Sequence, residues 1–116
     1  AAVNLPGMVN GIAFELDVTA AATDAADTLD VYVQTTLDGT NWIDVVHFTQ
    51  CVGNGGAKRH IGKVLAGAAE TMFDGSAALA AGSVRALLGD SWRVKYTQVD
   101  ADEDGTFTFA VYAVPM

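Results

Sequence analysis

The segment from Thr28 to Thr49 organises the sequence, because its pattern predicts a β-hairpin. Apolar and polar residues alternate along its first half, which predicts a strand with one buried and one wettable face. The apolar positions are Leu29, Val31 and Val33, and the polar positions are Asp30, Tyr32 and Gln34. Asp38-Gly39 follows and supplies the positive φ that a tight turn requires. The return strand, Trp42 to Thr49, is apolar on both faces, which is typical of a strand inside a sheet.

Three further segments alternate as clearly and are predicted to be strands. The first, Ile12 to Val18, places Ile12, Phe14, Leu16 and Val18 on one face. The second places Trp92, Val94 and Tyr96 on one face and leaves Arg93, Lys95 and Thr97 on a basic face. The third, at the carboxyl end, aligns Phe107, Phe109, Val111 and Ala113. Full burial of Trp92 and Phe109 is expected from these patterns.

The remaining segments carry weaker patterns. Lys58 to Ala66 and Ser83 to Leu88 are predicted as short strands, and the glycine-rich run Gln50 to Ala57 as a loop. Helix and irregular loop both fit the alanine-rich stretch Ala68 to Ala81. Ala1 to Gly11 contains two turn signals and is interpreted as an irregular amino-terminal arm.

These elements predict an all-β fold. Strands separated by turn signals, without a long amphipathic helix, indicate an antiparallel β-sandwich, jelly-roll-like in its connections. With 116 residues the chain fits one domain, residues 12–116, preceded by the arm of residues 1–11.

Composition narrows the class of partner. A net charge of −8 with only six basic residues disfavours nucleic acid and anionic membranes, which require clustered Lys and Arg. No apolar run approaches the roughly 20 residues of a membrane span. Only 17% of the residues are charged and 51% are hydrophobic, so we expect a chain that buries surface in a homo-oligomer or as a docked subunit.

No strong metal or cofactor motif is present, and no cofactor is predicted. Residues 100–105, DADEDG, match the opening of a calcium-binding EF-hand loop. The twelfth position is Val111, so the bidentate carboxylate of that motif is missing, and the flanks are predicted strands. Asp100, Asp102 and Asp104 are therefore a weak calcium candidate beside the alternative of a solvated acidic turn.

Other candidate chemistry is equally unspecific, and no catalytic residue is predicted. His47 and His60 are too few for a zinc site without further ligands. Cys51 is the single cysteine and is expected to be a small buried apolar residue rather than a nucleophile. Four aromatic residues offer a sugar-binding platform or, alternatively, core and interface anchors. These residues are Tyr32, Trp42, Trp92 and Tyr96.

Three stretches together resemble small all-β virion structural proteins of tailed bacteriophages. They are Leu29 to Phe48, with its DVYVQTTLDGTNWIDVVHF pattern, Gly89 to Tyr96, GDSWRVKY, and the aromatic-alternating strand Thr106 to Val114. The matching residues cover about half of the chain, and they are structural rather than catalytic. Similar "DGxxW" hairpins also occur in carbohydrate-binding sandwiches.

The resemblance implies a non-enzymatic head decoration (cement) protein. Such a protein is made in the host cytoplasm and sits on the capsid exterior of the virion, where it binds the major capsid protein as a homotrimer or other homo-oligomer. The alternatives are a tail or connector subunit and a carbohydrate-binding or adhesion module. A sugar-binding module predicts exposed, coplanar aromatic rings near Trp42 and Trp92.

Overall fold

The fold consists of strands and loops in every part of the chain that the structure describes. The computed structural model describes residues 3–4, 10–21, 26–66, 72–99 and 107–116. These ranges contain no helix. Their strands are β1 (Val3–Asn4), β2 (Gly11–Ala20), β3 (Thr28–Thr36), β4 (Trp42–His47), β5 (Cys51–Val52), β6 (Lys58–Leu65), β7 (Ser83–Val84), β8 (Ser91–Val99) and β9 (Thr108–Pro115).

The strands form two antiparallel sheets. The large sheet has six strands in the order β1-β8-β3-β4-β7, with β5 pairing to β3. The small sheet has three strands in the order β6-β2-β9. The predicted all-β antiparallel sandwich is therefore confirmed, and its finer description as jelly-roll-like stays a prediction.

The hydrophobic core lies between the two sheets. Alternate residues of β2 and β3 face it, and Phe14 of β2 meets Trp92 of β8 with ring centroids 5.5 Å apart. Gly62 of β6 brings the small sheet close to β4, because a Cβ there would lie 3.0 Å from a Val46 methyl group. The buried core residues are Ile12, Phe14, Leu16, Val18, Leu29, Val31, Val33, Val45, Val46, Phe48, Cys51, Val64, Trp92 and Phe107.

The predicted hairpin is confirmed, and a β-bulge explains its unusual return strand. Val33 pairs with Val46, but the next residue of β3, Gln34, pairs with Asp44. The extra residue, Val45, interrupts the alternation, so that Val45 and Val46 are both buried. The apolar character on both faces of β4 thus reflects this bulge as well as the position of the strand between β3 and β7.

The hairpin turn is held by one carboxylate. Asp38 accepts hydrogen bonds from the backbone N–H groups of Asn41 and Thr40, both at 2.8 Å, and from the Asn41 amide and the Thr36 hydroxyl at 2.7 and 3.1 Å. These hydrogen bonds, the one from the Asn41 backbone above all, hold the pKa of Asp38 well below its usual range. Gly39 supplies the predicted positive φ, 78°.

We expect Asp38→Ala to lower the midpoint of thermal unfolding by several degrees at pH 7. The folded state depresses the pKa of this carboxyl group, so its stabilising effect is complete above the unfolded-state pKa, about 4. It is lost as the pH falls from there through the folded-state value. The difference from the wild type should therefore shrink in melts below about pH 4.

Asp90→Ala is the matched control, because Asp90 is exposed and its carboxylate accepts a long hydrogen bond, 3.4 Å, from the Ser91 hydroxyl. If the two variants melted alike at pH 7, the capping role of Asp38 would be wrong.

Several weaker predictions are settled within the described residues. The predicted strand at Lys58 to Ala66 is confirmed as β6, and residues 72–82 form a loop rather than a helix. The strand expected over Ser83 to Leu88 is shorter than predicted: it ends at Val84, because the chain leaves β4 and turns back toward β3, where Asp90 N donates to Thr36 O. The arm of residues 1–11 is not wholly irregular, since Val3–Asn4 pairs with β8 and Gly11 begins β2.

Strand β8 has the predicted alternation but not the predicted burial. Trp92 is buried, whereas Val94 and Tyr96 on the same face are 40% and 58% exposed. The neighbouring strand β1 pairs only with Ser91 and Trp92, so the rest of β8 lies at an open edge within the described residues. Phe109 of β9, which contacts Tyr96 edge-on, is likewise only half-buried.

Candidate functional site

The predicted aromatic platform does not form from the two tryptophans. Trp42 pairs with Thr36 and Trp92 with Thr35, and consecutive residues of a strand point to opposite faces. Trp92 therefore faces the core, while Trp42 lies half-buried on the outer face of the large sheet. The Arg93 guanidinium lies over the Trp42 ring, 4.4 Å from its centroid, and occupies one face of that ring.

His47 is buried in a hydrogen-bonded position that the sequence did not predict. Its Nδ1 lies 2.8 Å from the carbonyl oxygen of Leu79, and its Nε2 lies 2.9 Å from a carboxylate oxygen of Asp30. Both partners accept hydrogen bonds, so with Asp30 ionised both bonds form together only when both ring nitrogens carry hydrogen. Tyr32 stacks on the imidazole with ring centroids 3.9 Å apart.

A second series of hydrogen-bonded side chains lies on the outer face of the large sheet. Arg93 donates to Gln34 at 2.7 Å, and Gln34 donates in turn to Asp44 at 2.6 Å. The other oxygen of Asp44 accepts the backbone N–H of Leu79 at 3.2 Å. Asp44 and His47 thus bind the backbone N–H and C=O of Leu79, and together they hold the loop of residues 72–82 against β4.

The sequence contained one signal for this network. Gln34, Asp44 and His47 are polar residues inside strands, and polar side chains buried there require partners. The pattern does not say which loop supplies those partners, because Leu79 lies 35 residues from Asp44 in the chain.

A shallow cleft of about 160 Å³ lies beside this network. Gln34, Trp42, Asp44, Lys95 and residues 75–78 line it. Both carboxylate oxygens of Asp44 are already hydrogen-bonded within the protein, and Lys95 lies over the Tyr32 ring, 5.3 Å from its centroid. These polar groups of the cleft therefore already interact with other parts of the protein.

The other predicted site residues fall into three groups. Asp100, Asp102 and Asp104, the weak calcium candidate, lie outside the described residues. Cys51 is buried, and this burial raises the pKa of its thiol, which leaves it mainly in the poorly nucleophilic protonated form. His60 is half-buried on β6, and no cluster of three metal-binding side chains occurs in the part of the chain that the structure describes.

Five of the exposed large apolar residues that the structure describes lie on the small sheet, on the side away from the core. Strand register places residues of β6, β2 and β9 there in adjacent rows: Leu65, Gly11 and Met116, then Lys63, Ala13 and Val114, then Ile61, Glu15 and Tyr112, then Arg59, Asp17 and Ala110. We call the large apolar members of these rows the outer apolar face: Ile61, Leu65, Tyr112, Val114 and Met116. Each of them is between 43% and 63% exposed.

Charged residues lie among the apolar ones on this face: Glu15 is between Ile61 and Tyr112, and Lys63 is in the row of Ala13 and Val114. Glu15 forms an ion pair with Arg59 at 2.5 Å, and that hydrogen bond raises the pKa of Arg59. In the first row Gly11 carries no side chain, so Leu65 and Met116 approach one another above it: a Cβ at Gly11 would lie 3.0 and 3.2 Å from their terminal carbons. The result is a surface of exposed apolar side chains with charged residues among them, which is typical of a protein-binding surface rather than of a catalytic site.

Comparison with protein-family models, with curated protein sequences and with solved structures gives no match. Within the described residues, no helix is long and apolar enough to cross a membrane.

Proposed function

We propose that the chain is a non-enzymatic structural protein of a tailed-phage virion, a capsid decoration protein that binds the major capsid protein lattice as a homo-oligomer. The hairpin and strand motifs that resemble such proteins support the class. The outer apolar face is the observation that carries the proposal, because it offers an exposed docking surface on a rigid sheet. A tail or connector subunit would use the same kind of surface, and the experiment below separates the two.

In the docking mechanism, an oligomer buries several apolar surfaces against the capsid at the same time. Each outer apolar face buries a modest apolar area against the capsid, and an oligomer presents several such faces to a repeating lattice. Once one face is bound, the others bind at a high effective concentration, so that weak contacts add up to stable attachment. The backbone of the small sheet is ordered before binding, so less conformational entropy is lost when the sheet docks.

A carbohydrate-binding module is the second candidate, and the cleft beside Trp42 is what favours it. An aromatic ring next to carboxylate, amide and ammonium groups is a common arrangement for sugar recognition. Against this function stand the covered face of Trp42 and the hydrogen bonds that already occupy Asp44. We therefore favour the capsid function.

Co-sedimentation with purified capsids and, separately, with purified tails of the phage that encodes the chain tests the proposal. We expect the wild type to pellet with capsids and not with tails. Leu65→Thr/Val114→Thr should weaken capsid binding by at least about tenfold, because it removes two apolar side chains from the outer apolar face while placing β-branched residues at both strand positions. Its melting temperature should stay close to that of the wild type.

Val52→Thr is the matched control, since Val52 is a strand valine that is 50% exposed outside the outer apolar face. Equal binding of the double variant and this control would argue against the outer apolar face as the docking surface. Binding to tails alone would favour the tail or connector function, and retention on a glycan array without capsid binding would favour the sugar-binding module.

A further inference from the structure

The long edge strands of the two sheets differ in the charged residues that they carry. Five described strands, β2, β3, β6, β8 and β9, have eight residues or more. Strands β2 and β3 are paired on both sides. Among the described residues, β6 and β9 pair only with β2, and β8 beyond Trp92 pairs only with β3. An open edge presents unpaired backbone N–H and C=O groups and invites association with another strand, unless charged residues protect it.

Basic residues protect two of these three edges. Lys58, Arg59 and Lys63 lie on β6, and Arg93 and Lys95 lie on β8, so these two strands hold five of the six basic residues of the whole chain. Strand β9, TFAVYAVP, contains no charged residue of either sign. The third open edge is therefore left without the protection that the other two receive.

Strand β9 is also apolar on both faces. Tyr112 and Val114 on its outer face are 54% and 60% exposed, and Phe109 and Val111 on its inner face are only partly buried. On the large sheet, the inward-facing Tyr96 of β8 is 58% exposed and contacts Phe109 of β9 edge-on, with ring centroids 5.2 Å apart. Along this side, the residues that the structure describes leave part of the core face exposed.

We infer that β9 pairs with β9 of a second copy of the chain, antiparallel about a two-fold axis. Pro115 cannot donate a hydrogen bond and limits the pairing to Thr108–Val114. This dimer would be the homo-oligomer of the proposed function. The pairing of the strands does not depend on that function, but the use of the dimer in capsid binding rests on it.

Two observations select a second copy as the partner. Each copy carries a net charge of −8, so two copies repel one another except where a surface without charge meets its equivalent, as β9 does across a two-fold axis. An unprotected edge must also be covered as soon as the chain folds, and a second copy is the partner that is always present then.

The pairing joins the two small sheets into one. The strand order becomes β6-β2-β9-β9-β2-β6, and the outer apolar faces of both copies lie side by side on a six-stranded sheet. Phe109, Val111 and Tyr96 then lie next to their equivalents in the second copy and lose exposure. One dimer thus presents a doubled docking surface.

Light scattering on the purified full chain tests the inference. We expect a dimer of two 12.0 kDa chains. Ala110→Lys adds a cation to β9 on its outward side, outside the outer apolar face, and should weaken dimerisation more than about tenfold through like-charge repulsion across the axis. Ala57→Lys makes the same change at an exposed loop residue and should leave the dimer intact.

Hydrogen exchange on the unmodified protein provides a test that does not depend on a variant. Amides of Thr108–Val114 should exchange more slowly at high than at low protein concentration, whereas those of β6 should not change. A monomer at all concentrations, a closed trimer, or an Ala110→Lys variant that stays dimeric would each overturn the inference. Capsid binding by monomeric Ala110→Lys would leave the proposed function standing, and a wild-type dimer that ignores capsids would overturn the function alone.

Discussion

Trp92→Ala should destabilise the protein by about 3–5 kcal/mol, the largest effect expected of a single substitution considered for this chain. The side chain is 5% exposed and packs against Phe14 across the two sheets, with ring centroids 5.5 Å apart. Removing the indole deletes a large buried area and leaves a cavity between β2 and β8 that the rigid strands cannot close. Urea denaturation followed by circular dichroism measures this loss of free energy of unfolding.

Trp42→Ala is the control for that experiment, because it makes the same change on the outer face of the same sheet. Trp42 is half-buried and contacts the Arg93 guanidinium, so we expect a smaller loss, about 1–2 kcal/mol. Phe109→Ala should also cost less than Trp92→Ala, since Phe109 is only half-buried. Equal losses at Trp92 and Trp42 would show that the assignment of the two rings to opposite faces is wrong.

His47→Ala should have the next largest effect, about 3 kcal/mol. The imidazole is a bridge between Asp30 on β3 and the Leu79 carbonyl in the loop of residues 72–82. Its removal leaves the Asp30 carboxylate, whose side chain is only 18% exposed, with Gln50 as its remaining side-chain partner, and it leaves the Leu79 carbonyl without the imidazole. Each buried polar group that loses its partner costs roughly 1–3 kcal/mol, and two such groups give the expected total.

Two measurements check the role of His47. Urea denaturation gives the loss of stability, and limited proteolysis should cut the loop of residues 72–82 faster in the variant. His60→Ala is the matched control, because His60 is the only other histidine and is half-buried on β6. A loop that resists proteolysis equally in both variants would contradict the bridging role.

The two sheets therefore have different characters. On the large sheet, buried polar side chains and cation–aromatic contacts fix a loop over the outer surface, and they serve the fold itself. On the small sheet, the outer surface carries five large apolar side chains that are between 43% and 63% exposed, beside charged residues of β2 and β6. The proposed capsid docking and the inferred dimer both depend on the small sheet, so substitutions there should change assembly more than stability.

The prediction from sequence was most accurate where a local pattern sets the outcome. Strict alternation identified β2, β3, β8 and β9, because side chains of a strand alternate between its faces whatever surrounds it. The Asp38-Gly39 turn was predictable for a similar reason, since the requirement for positive φ is met by glycine at that single position. In β4 the alternation fails at Val45, and only the strand pairing shows that a bulge is the cause.

Candidate sites were harder to predict than strands. His47 was considered as a metal ligand, and the structure instead shows a hydrogen-bonded bridge to a loop 32 residues away. Trp42 and Trp92 were considered as one platform, and the register places them on opposite faces. In each case the composition supplied suitable chemical groups, while their partners depended on residues distant in the chain.

The sequence by itself determined the four alternating strands β2, β3, β8 and β9, the hairpin turn and the face of each of these strands on which the apolar residues lie, since these follow from the local geometry of the backbone. Only the tertiary structure decided which of those apolar faces are covered. Trp92 and Tyr96 share one face of β8, yet the first is buried and the second is exposed. Burial depends on which strands lie opposite and alongside, and that depends on pairing between segments far apart in the chain, which periodicity does not encode.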